Sequence, residues 1–316
     1  MRLISLIAAT AAMLAGPALS QTRSVAVTFD DLPFQTTPEG LCDADNVRRL
    51  TTDFLTMLAP LDTHATAFVN EGRMCDETRE QALRGILTLW LEAGVDLGNH
   101  TFSHINIHRS TPEAYLADVD RGDDVTRPLL AAHGRDLIWF RHPFLFTGET
   151  PEKRAALEAG IAARGYRVAP VTIDNEDWRF GQAYRRAESE GDEAMQARIG
   201  EAYVAHMAAV LDVVEPYSAL LAGGAEPPQV LLLHANSLNQ AWYPAIHALF
   251  MARGYRFVPL EEAVSHSVYS RADGWTRANG VSWLHRWALA DGVPFQPEPD
   301  TPQWVVDYAE NRQTSG

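Results

Sequence analysis

Short apolar runs alternate with segments of helical spacing through most of the chain. Seven runs have the length and composition of buried strands; they are Val25–Phe29, Ala65–Val69, Val95–Leu97, Leu137–Phe140, Arg167–Ile173, Val230–Leu233 and Tyr255–Val258. The segments between them carry Ala, Leu, Arg and Glu at roughly helical spacing, and several begin at Thr-Pro or end at glycine. This alternation predicts an α/β domain in which helices cover a parallel sheet, and 316 residues suffice for a single barrel.

Five of these runs are followed directly by residues capable of chemistry. These residues are Asp30 and Asp31, Asn99 and His100, Arg141, Asp174, and His234. Because the catalytic groups of a parallel barrel collect at the carboxyl ends of its strands, we expect these side chains to meet at one mouth. Two adjacent carboxylates at the end of a buried strand also need a cation or hydrogen bonds to compensate them.

A metal site is the simplest form of that compensation. His100 and His104 lie one helical turn apart in GNHTFSH, and with Asp31 they offer two nitrogens and one oxygen to a divalent ion. That ligand set is typical of hydrolytic sites, for which zinc is the first choice. A purely structural histidine pair is the alternative, and His108, which continues the spacing, is interpreted as lying beside the site or at the surface.

The beginning of the chain has the pattern of a secretory signal peptide. Arg2 precedes an apolar run that ends in small residues at Ala18 and Ser20, which predicts cleavage near Ser20–Gln21 and a secreted or periplasmic protein. A membrane anchor is the alternative. Residues 21–316 then form one catalytic domain with a Trp-rich C-terminal extension, from about residue 265. We expect no later stretch to span a membrane.

Net charge limits the classes of binding partner, and the two cysteines indicate a disulfide. The formal net charge of −15 argues against nucleic acid and anionic membrane as partners. Cys42 and Cys75 in an exported chain indicate one disulfide, with two buried free thiols as the alternative. The oligomeric state is left open.

Five short motifs resemble, in order, those of the polysaccharide deacetylase family of metal-dependent carbohydrate esterases. They are TFDD at Thr28–Asp31, HTFSH at His100–His104, RHPF at Arg141–Phe144, DNEDW at Asp174–Trp178 and LLH at Leu232–His234. The resemblance implies a distorted seven-stranded (β/α) barrel, similar to a TIM barrel. It also implies a hydrolase that removes acetyl groups from an N-acetylated or O-acetylated glycan, with Zn²⁺, or alternatively Co²⁺ or Ni²⁺, as cofactor.

The resemblance implies roles around the metal. Asp31, His100 and His104 would hold the ion, and Asp30 would be the base that takes a proton from the water at the metal. Arg141 would pair with Asp30 and keep it ionised, since a guanidinium stays charged and forks onto a carboxylate. Without the other motifs, Arg141 would be interpreted as an ordinary structural ion pair.

It likewise implies roles around the acetyl group. His234 would be the acid that protonates the departing amine, and Asp177 would keep its imidazole charged. The backbone N–H of Phe144 would stabilise the oxyanion. Trp178 and Leu232 would form a pocket for the acetyl methyl, although Trp178 could equally be a core residue.

Two departures from the family pattern affect the expected substrate. Leu32 occupies the place of the usual glycine, which is expected to reshape the mouth, and Ala235-Asn236 follows His234 where the family often has Asp. Neither departure removes a catalytic atom. Two alternatives therefore stay open: an amidase acting on a small non-sugar amide, and a non-catalytic carbohydrate-binding or envelope module.

Overall fold

The computed structural model describes residues 23–75 and 79–311, so the predicted signal peptide lies outside the described residues. Within them, eight strands form one sheet in which every pair is parallel. The strands are β1 (Arg23–Leu32), β2 (Thr66–Val69), β3 (Asp96–Asn99), β4 (Trp139–Phe140), β5 (Arg167–Val168), β6 (Ile173–Asp174), β7 (Gln229–His234) and β8 (Tyr255–Phe257). Their order is β5-β4-β3-β2-β1-β7-β6, and β8 pairs with the start of β1.

The sheet forms a distorted parallel barrel that stays open between β5 and β6. The predicted α/β barrel is confirmed, but the predicted strand Arg167–Ile173 is two strands, giving eight in place of seven. Pro170 lacks the N–H that a continuous strand needs. Arg141 lies at this break, where its guanidinium donates to the carbonyls of Ala169 and Pro170 at 3.0 and 3.3 Å.

Twelve α-helices are found in the described part of the chain. They are α1 (Pro38–Leu41), α2 (Ala44–Leu58), α3 (Arg79–Glu92), α4 (Pro112–Arg121), α5 (Thr126–Ala132), α6 (Pro151–Ala163), α7 (Asp177–Glu190), α8 (Glu193–Leu221), α9 (Ser237–Ala252), α10 (Leu260–Val264), α11 (Trp283–Asp291) and α12 (Gln303–Ala309). The expected Thr-Pro starts occur at α4 and α6, where Thr111 and Thr150 cap the backbone N–H groups of Ala114 and Lys153.

Strand β1 runs through the centre of the core and delivers the paired aspartates. Its Phe29 is fully buried and contacts the rings of Phe54, Trp90 and Tyr243, with centroids 5.2 to 6.3 Å apart. Such packing fixes the strand. The two residues that follow Phe29 are therefore held rigidly at the carboxyl end of the sheet.

Helix α8 corrects one sequence expectation. It is long and apolar enough to cross a membrane by length and composition, although no such stretch was expected. Its residues Ile199, Tyr203 and Met207 are fully buried in the core. Because the core helix of a soluble protein meets the same criterion, the helix is weak evidence for a membrane span.

Two features tie the outer loops to this body. Cys42 and Cys75 form the expected disulfide, with Cα atoms 4.9 Å apart, on the loops that follow β1 and β2. The C-terminal extension packs on the barrel, where Trp283 and Trp287 of α11 are buried as a packed helix face. The backbone N–H of Trp283 donates to the backbone carbonyl of Val171 at 2.6 Å, so the extension lies against the segment between β5 and β6.

Candidate active site

The carboxyl ends of the strands surround a cavity of about 410 Å³. Eight of the ten predicted site residues line it: Asp30, Asp31, His100, His104, Phe144, Trp178, Leu232 and His234. The other two, Arg141 and Asp177, are buried behind this lining and contact Asp30 and His234 respectively. Residues from five strand ends thus converge, as a parallel barrel requires.

Asp31, His100 and His104 form a group suited to a metal ion. Their ligand atoms all lie within 4.8 Å of one another, and the Nε2 atoms of His100 and His104 are 3.7 and 3.5 Å from Asp31 Oδ1. The Nδ1 of His100 lies 2.7 Å from the carbonyl oxygen of Arg141, which fixes the ring and leaves Nε2 free to bind. Asp31 Oδ1 is buried without a hydrogen-bond partner among the described residues, and a cation would satisfy it.

The protonation states also suit metal ligands. Burial, together with the adjacent His104, holds the pKa of His100 well below its usual value, and burial lowers the pKa of His104. Both imidazoles are therefore neutral near pH 7, as a ligand must be. Burial opposes ionisation of Asp31, but the guanidinium of Arg73 and the charge of His234 outweigh it and lower the pKa of this carboxyl.

Arg73 is a site residue that sequence analysis missed. Its Nη1 lies 2.7 Å from Asp31 Oδ2, and Gln35 Nε2 donates to the same oxygen at 3.4 Å. One Asp31 oxygen is thus engaged by the protein while Oδ1 is left for a cation. Arg73 follows β2 in a loop with no recognisable motif, so no local signal could have identified it.

Asp30, in contrast, is placed for proton transfer. It is 3% exposed, and Arg141 Nη1 lies 3.2 and 3.3 Å from its two oxygens. Burial raises the pKa of Asp30 to about 6, although Arg141 and His234 act in the opposite direction. A carboxyl with this pKa can exchange a proton near neutral pH.

His234 is held as a cation beside Asp30, its direct neighbour in the pairing of β1 with β7. Its Nδ1 lies 2.7 Å from Asp177 Oδ1, and its backbone N–H donates to Asp177 Oδ2 at 2.8 Å. Burial opposes protonation, but Asp177, Asp31 and Asp30 outweigh it and raise the pKa of His234 to about 9. Asn239, which the sequence did not indicate, donates to Asp177 Oδ2 at 2.7 Å and completes the support.

The remaining predicted residues shape the cavity. Phe144 is 47% exposed, has a left-handed backbone (φ 58°) and packs its ring 4.4 Å from that of His104. Trp178 is half-buried in the lining, and Leu232 is buried there. Asp174 also lines the cavity, where it accepts the backbone N–H of Glu176.

Two sequence interpretations are resolved by position. The expectation that Leu32 reshapes the mouth was wrong, because Leu32 is fully buried, pairs with Val69 and belongs to the core. His108 lies outside the metal-type group, as interpreted, and stacks on Phe146 with ring centroids 4.1 Å apart.

Comparison with known proteins finds a similarity to one family. A family model described as polysaccharide deacetylase matches residues 20–163. Over these residues, which are just under half of the chain, the sequence is similar to that family. The match includes the first three of the five motifs, whereas the motifs at Asp174–Trp178 and Leu232–His234 lie beyond it. None of the curated proteins compared with the chain matches it significantly.

Several solved structures are similar to this chain at low identity. The polysaccharide deacetylase Bc1974 from Bacillus cereus is 20% identical, with 75% of this chain and 91% of that chain covered and a TM-score of 0.49. A family 4 carbohydrate esterase from Streptomyces lividans, in complex with acetate, is 18% identical, with 76% and 95% covered and a TM-score of 0.46. BA3943 from Bacillus anthracis, a family 4 pseudoenzyme, is 14% identical, with 77% and 66% covered and a TM-score of 0.49. Similarity at this level transfers neither residue roles nor activity.

Proposed function

We propose that this protein is an exported, divalent-metal-dependent hydrolase that removes the acetyl group from an N-acetylated carbohydrate. The observation that supports this most is the content of one cavity. It holds a metal-type group at Asp31, His100 and His104, a buried carboxyl with a raised pKa at Asp30, and a cationic imidazole at His234. Two titratable groups with opposite environments are the usual form of an acid–base pair.

Asp31 and the two histidines are the residues that would hold the ion, with Zn²⁺ as first choice and Co²⁺ or Ni²⁺ as alternatives. When bound there, a divalent ion lowers the pKa of a water molecule and polarises a carbonyl group. The chain supplies neutral imidazoles and an ionised carboxylate without further rearrangement of protons. Arg73 and Gln35 keep the carboxylate of Asp31 in place by binding its Oδ2.

Asp30 is the general base in this proposal. It accepts a proton from the water that attacks the acetyl carbonyl, and Arg141 fixes the carboxylate for that transfer. A base works best when its pKa lies near the operating pH, and the pKa of about 6 meets this condition.

His234 is the general acid. Its Nδ1 is engaged by Asp177, so Nε2 carries the proton that can be given to the leaving nitrogen. An amine leaves as a strongly basic group and needs that proton, which favours N-acetyl over O-acetyl substrates. A pKa of about 9 keeps the imidazole charged until the C–N bond breaks.

The acetyl group is held between the acid–base pair and the wall of the cavity. The N–H of Phe144 is proposed to stabilise the oxyanion, a role in which a single donor is worth roughly 3–4 kcal/mol in other hydrolases. Leu232 and Trp178 supply the apolar surface for the methyl group. Export is supported by the leader-like sequence at residues 1–20 and by the Cys42–Cys75 disulfide, which persists in oxidising compartments.

The test is acetate release by purified protein stripped of metal with a chelator and then reconstituted with Zn²⁺. The panel contains N-acetylglucosamine oligomers, an O-acetylated glycan and small acetamides. We expect release from the N-acetylated oligomers that disappears on stripping and returns with Zn²⁺. Release from the acetamides alone would show a small-amide amidase. Zinc binding without release from any compound would show a binding module.

A further inference from the structure

The turn that follows β4 has an unusual backbone. Phe144 and Leu145 are consecutive non-glycine residues with φ of 58° and 56°, in the left-handed region. Side chains with a Cβ adopt this region at a cost, and such turns persist where the surroundings hold them. Both residues line the cavity, so whatever holds this turn also shapes the site.

Arg286 of α11 holds the turn from behind. Its side chain is fully buried, and its Nη2 donates to the carbonyl of Leu145 at 2.6 Å. Its Nη1 donates to Thr147 Oγ1 at 2.9 Å and pairs with Asp273 Oδ2 at 2.5 Å. The planar guanidinium therefore fixes the turn and the chain that follows it in one geometry.

Gly280 holds the same turn from the side. A Cβ at this position would lie 1.9 Å from the carbonyl oxygen of Phe144, so only a glycine allows the two backbones to approach this closely. Gly280 itself lines the cavity. The C-terminal extension is thus in direct contact with Phe144, whose N–H is the proposed oxyanion donor.

The extension is itself anchored to the barrel on both sides of Gly280. On one side, Asp273 pairs with Arg154 of α6 at 3.0 Å, and Arg154 donates to the carbonyl of Trp275 at 3.2 Å. On the other side, the Trp283 N–H donates to the Val171 carbonyl. A segment fixed at both ends can hold a strained turn, whereas a loose tail cannot.

We infer that the C-terminal extension is part of the active site, with Arg286 and Gly280 as positioning residues for the Phe144–Leu145 turn. They act by holding the Phe144 N–H where the oxyanion forms. The assignment of that N–H rests on the proposed function; the contacts that hold the turn do not.

Gly280→Ala is the sharpest test, because the same extension offers a matched control. Gly274 is exposed, has no atom within 4 Å of a Cβ built on it, and does not have a positive φ, so Gly274→Ala should change nothing. Gly280→Ala should push the turn away and lower kcat for acetate release at least about tenfold, since loss of an oxyanion donor costs roughly 10²–10³. Zn²⁺ affinity should stay unchanged. A kcat equal to that of Gly274→Ala would overturn the inference.

Arg286→Lys separates positioning from charge balance. Lysine keeps a cation beside Asp273 but cannot fork onto Leu145 and Thr147 at once. We expect kcat to fall at least about tenfold while KM changes less than about threefold, with a Tm that shows a folded protein. Full kcat in Arg286→Lys would mean that Arg286 only balances the charge of Asp273.

Hydrogen exchange of the peptide over residues 141–147 gives a readout that does not need activity. Gly280→Ala and Arg286→Lys should speed exchange in this peptide at least about threefold, with Gly274→Ala equal to the unmodified protein. Unchanged exchange in both variants would overturn the inference. If exchange responds but the unmodified protein releases no acetate from any substrate, the proposed function fails while the support of the turn stands.

Discussion

The wall of the cavity formed by the strand ends and the wall formed by the C-terminal extension are constructed differently. The strand ends contribute ionisable side chains, each with a buried partner, as in Asp30 with Arg141 and His234 with Asp177. Among the described residues that line the cavity, the extension contributes Gly280, whose backbone abuts that of Phe144. The strand ends therefore supply the ionisable groups of the cavity, and the extension fixes the position of its backbone wall.

Ionisable groups of the extension lie one layer further out. Glu298 is half-buried beside Ser282, and its loss of solvent contact, with the charges of Asp174 and Glu176 nearby, raises its pKa to about 8. The hydroxyl of Thr301 donates to Glu176 Oε2 at 2.7 Å, and Glu176 directly precedes Asp177 in sequence. The ionisable groups that line the cavity thus lie at the ends of rigid strands, where packing fixes them. The C-terminal extension instead stabilises the turn that follows β4.

The largest effect is expected at the metal-type group of the strand wall. His104→Ala should weaken Zn²⁺ binding more than about 100-fold. Loss of a residue that only supports a ligand lowers metal affinity about 10–100-fold, and loss of the ligand itself should lower it further. His108→Ala is the matched control, since it continues the same spacing but lies outside the group. Competition with a chromogenic chelator measures both affinities. Equal affinities in the two variants would show that the group is not the metal site.

A smaller effect is expected from Asp177→Asn. The carboxylate raises the pKa of His234 to about 9, so its removal lets the imidazole lose its proton at lower pH. We expect kcat to fall about 10–100-fold and the alkaline limb of the pH profile to move to lower pH. A profile with an unmoved alkaline limb would mean that His234 is not the acid.

The smallest effect is expected in the extension wall, from Glu298→Gln. The folded pKa of Glu298, about 8, lies above the ordinary value of 4.5, so the unfolded chain releases this proton first as pH rises. The contribution of this carboxyl to the free energy of unfolding is therefore lost as pH rises from about 4.5 to about 8. The variant should match the wild-type Tm at pH 4.5 and exceed it by several degrees at pH 8. A difference in Tm that does not grow with pH would contradict the raised pKa of Glu298.

Much of the strand wall could be predicted from sequence, because each group follows an apolar run that must end at the carboxyl edge of the sheet. Asp31 and His100 were recognisable in this way. Arg73 and Arg286 were not, because each acts through a contact distant in sequence, with Asp31 and with the Leu145 carbonyl. Pro170 is visible in the sequence. The sequence does not show, however, that the strands before and after it, β5 and β6, lie at opposite edges of the sheet.

The sequence indicated a Trp-rich extension from about residue 265, and the structure shows Trp283 and Trp287 of this extension packed in the core. Its contribution to the cavity is a glycine, and a glycine has no side chain whose type could indicate a site. Only the 1.9 Å approach that a Cβ would make to the Phe144 carbonyl oxygen shows why that residue is needed.

The most direct test of the account compares acetate release by the wild type and Asp30→Asn, both loaded with Zn²⁺, on N-acetylglucosamine oligomers. Asparagine keeps the size of the side chain and can still accept from Arg141, but it cannot take a proton. We predict that the wild type releases acetate and that kcat/KM falls about 10²–10⁴-fold in the variant, with Zn²⁺ affinity retained. Equal release by the two proteins, or none by the wild type, would contradict the account.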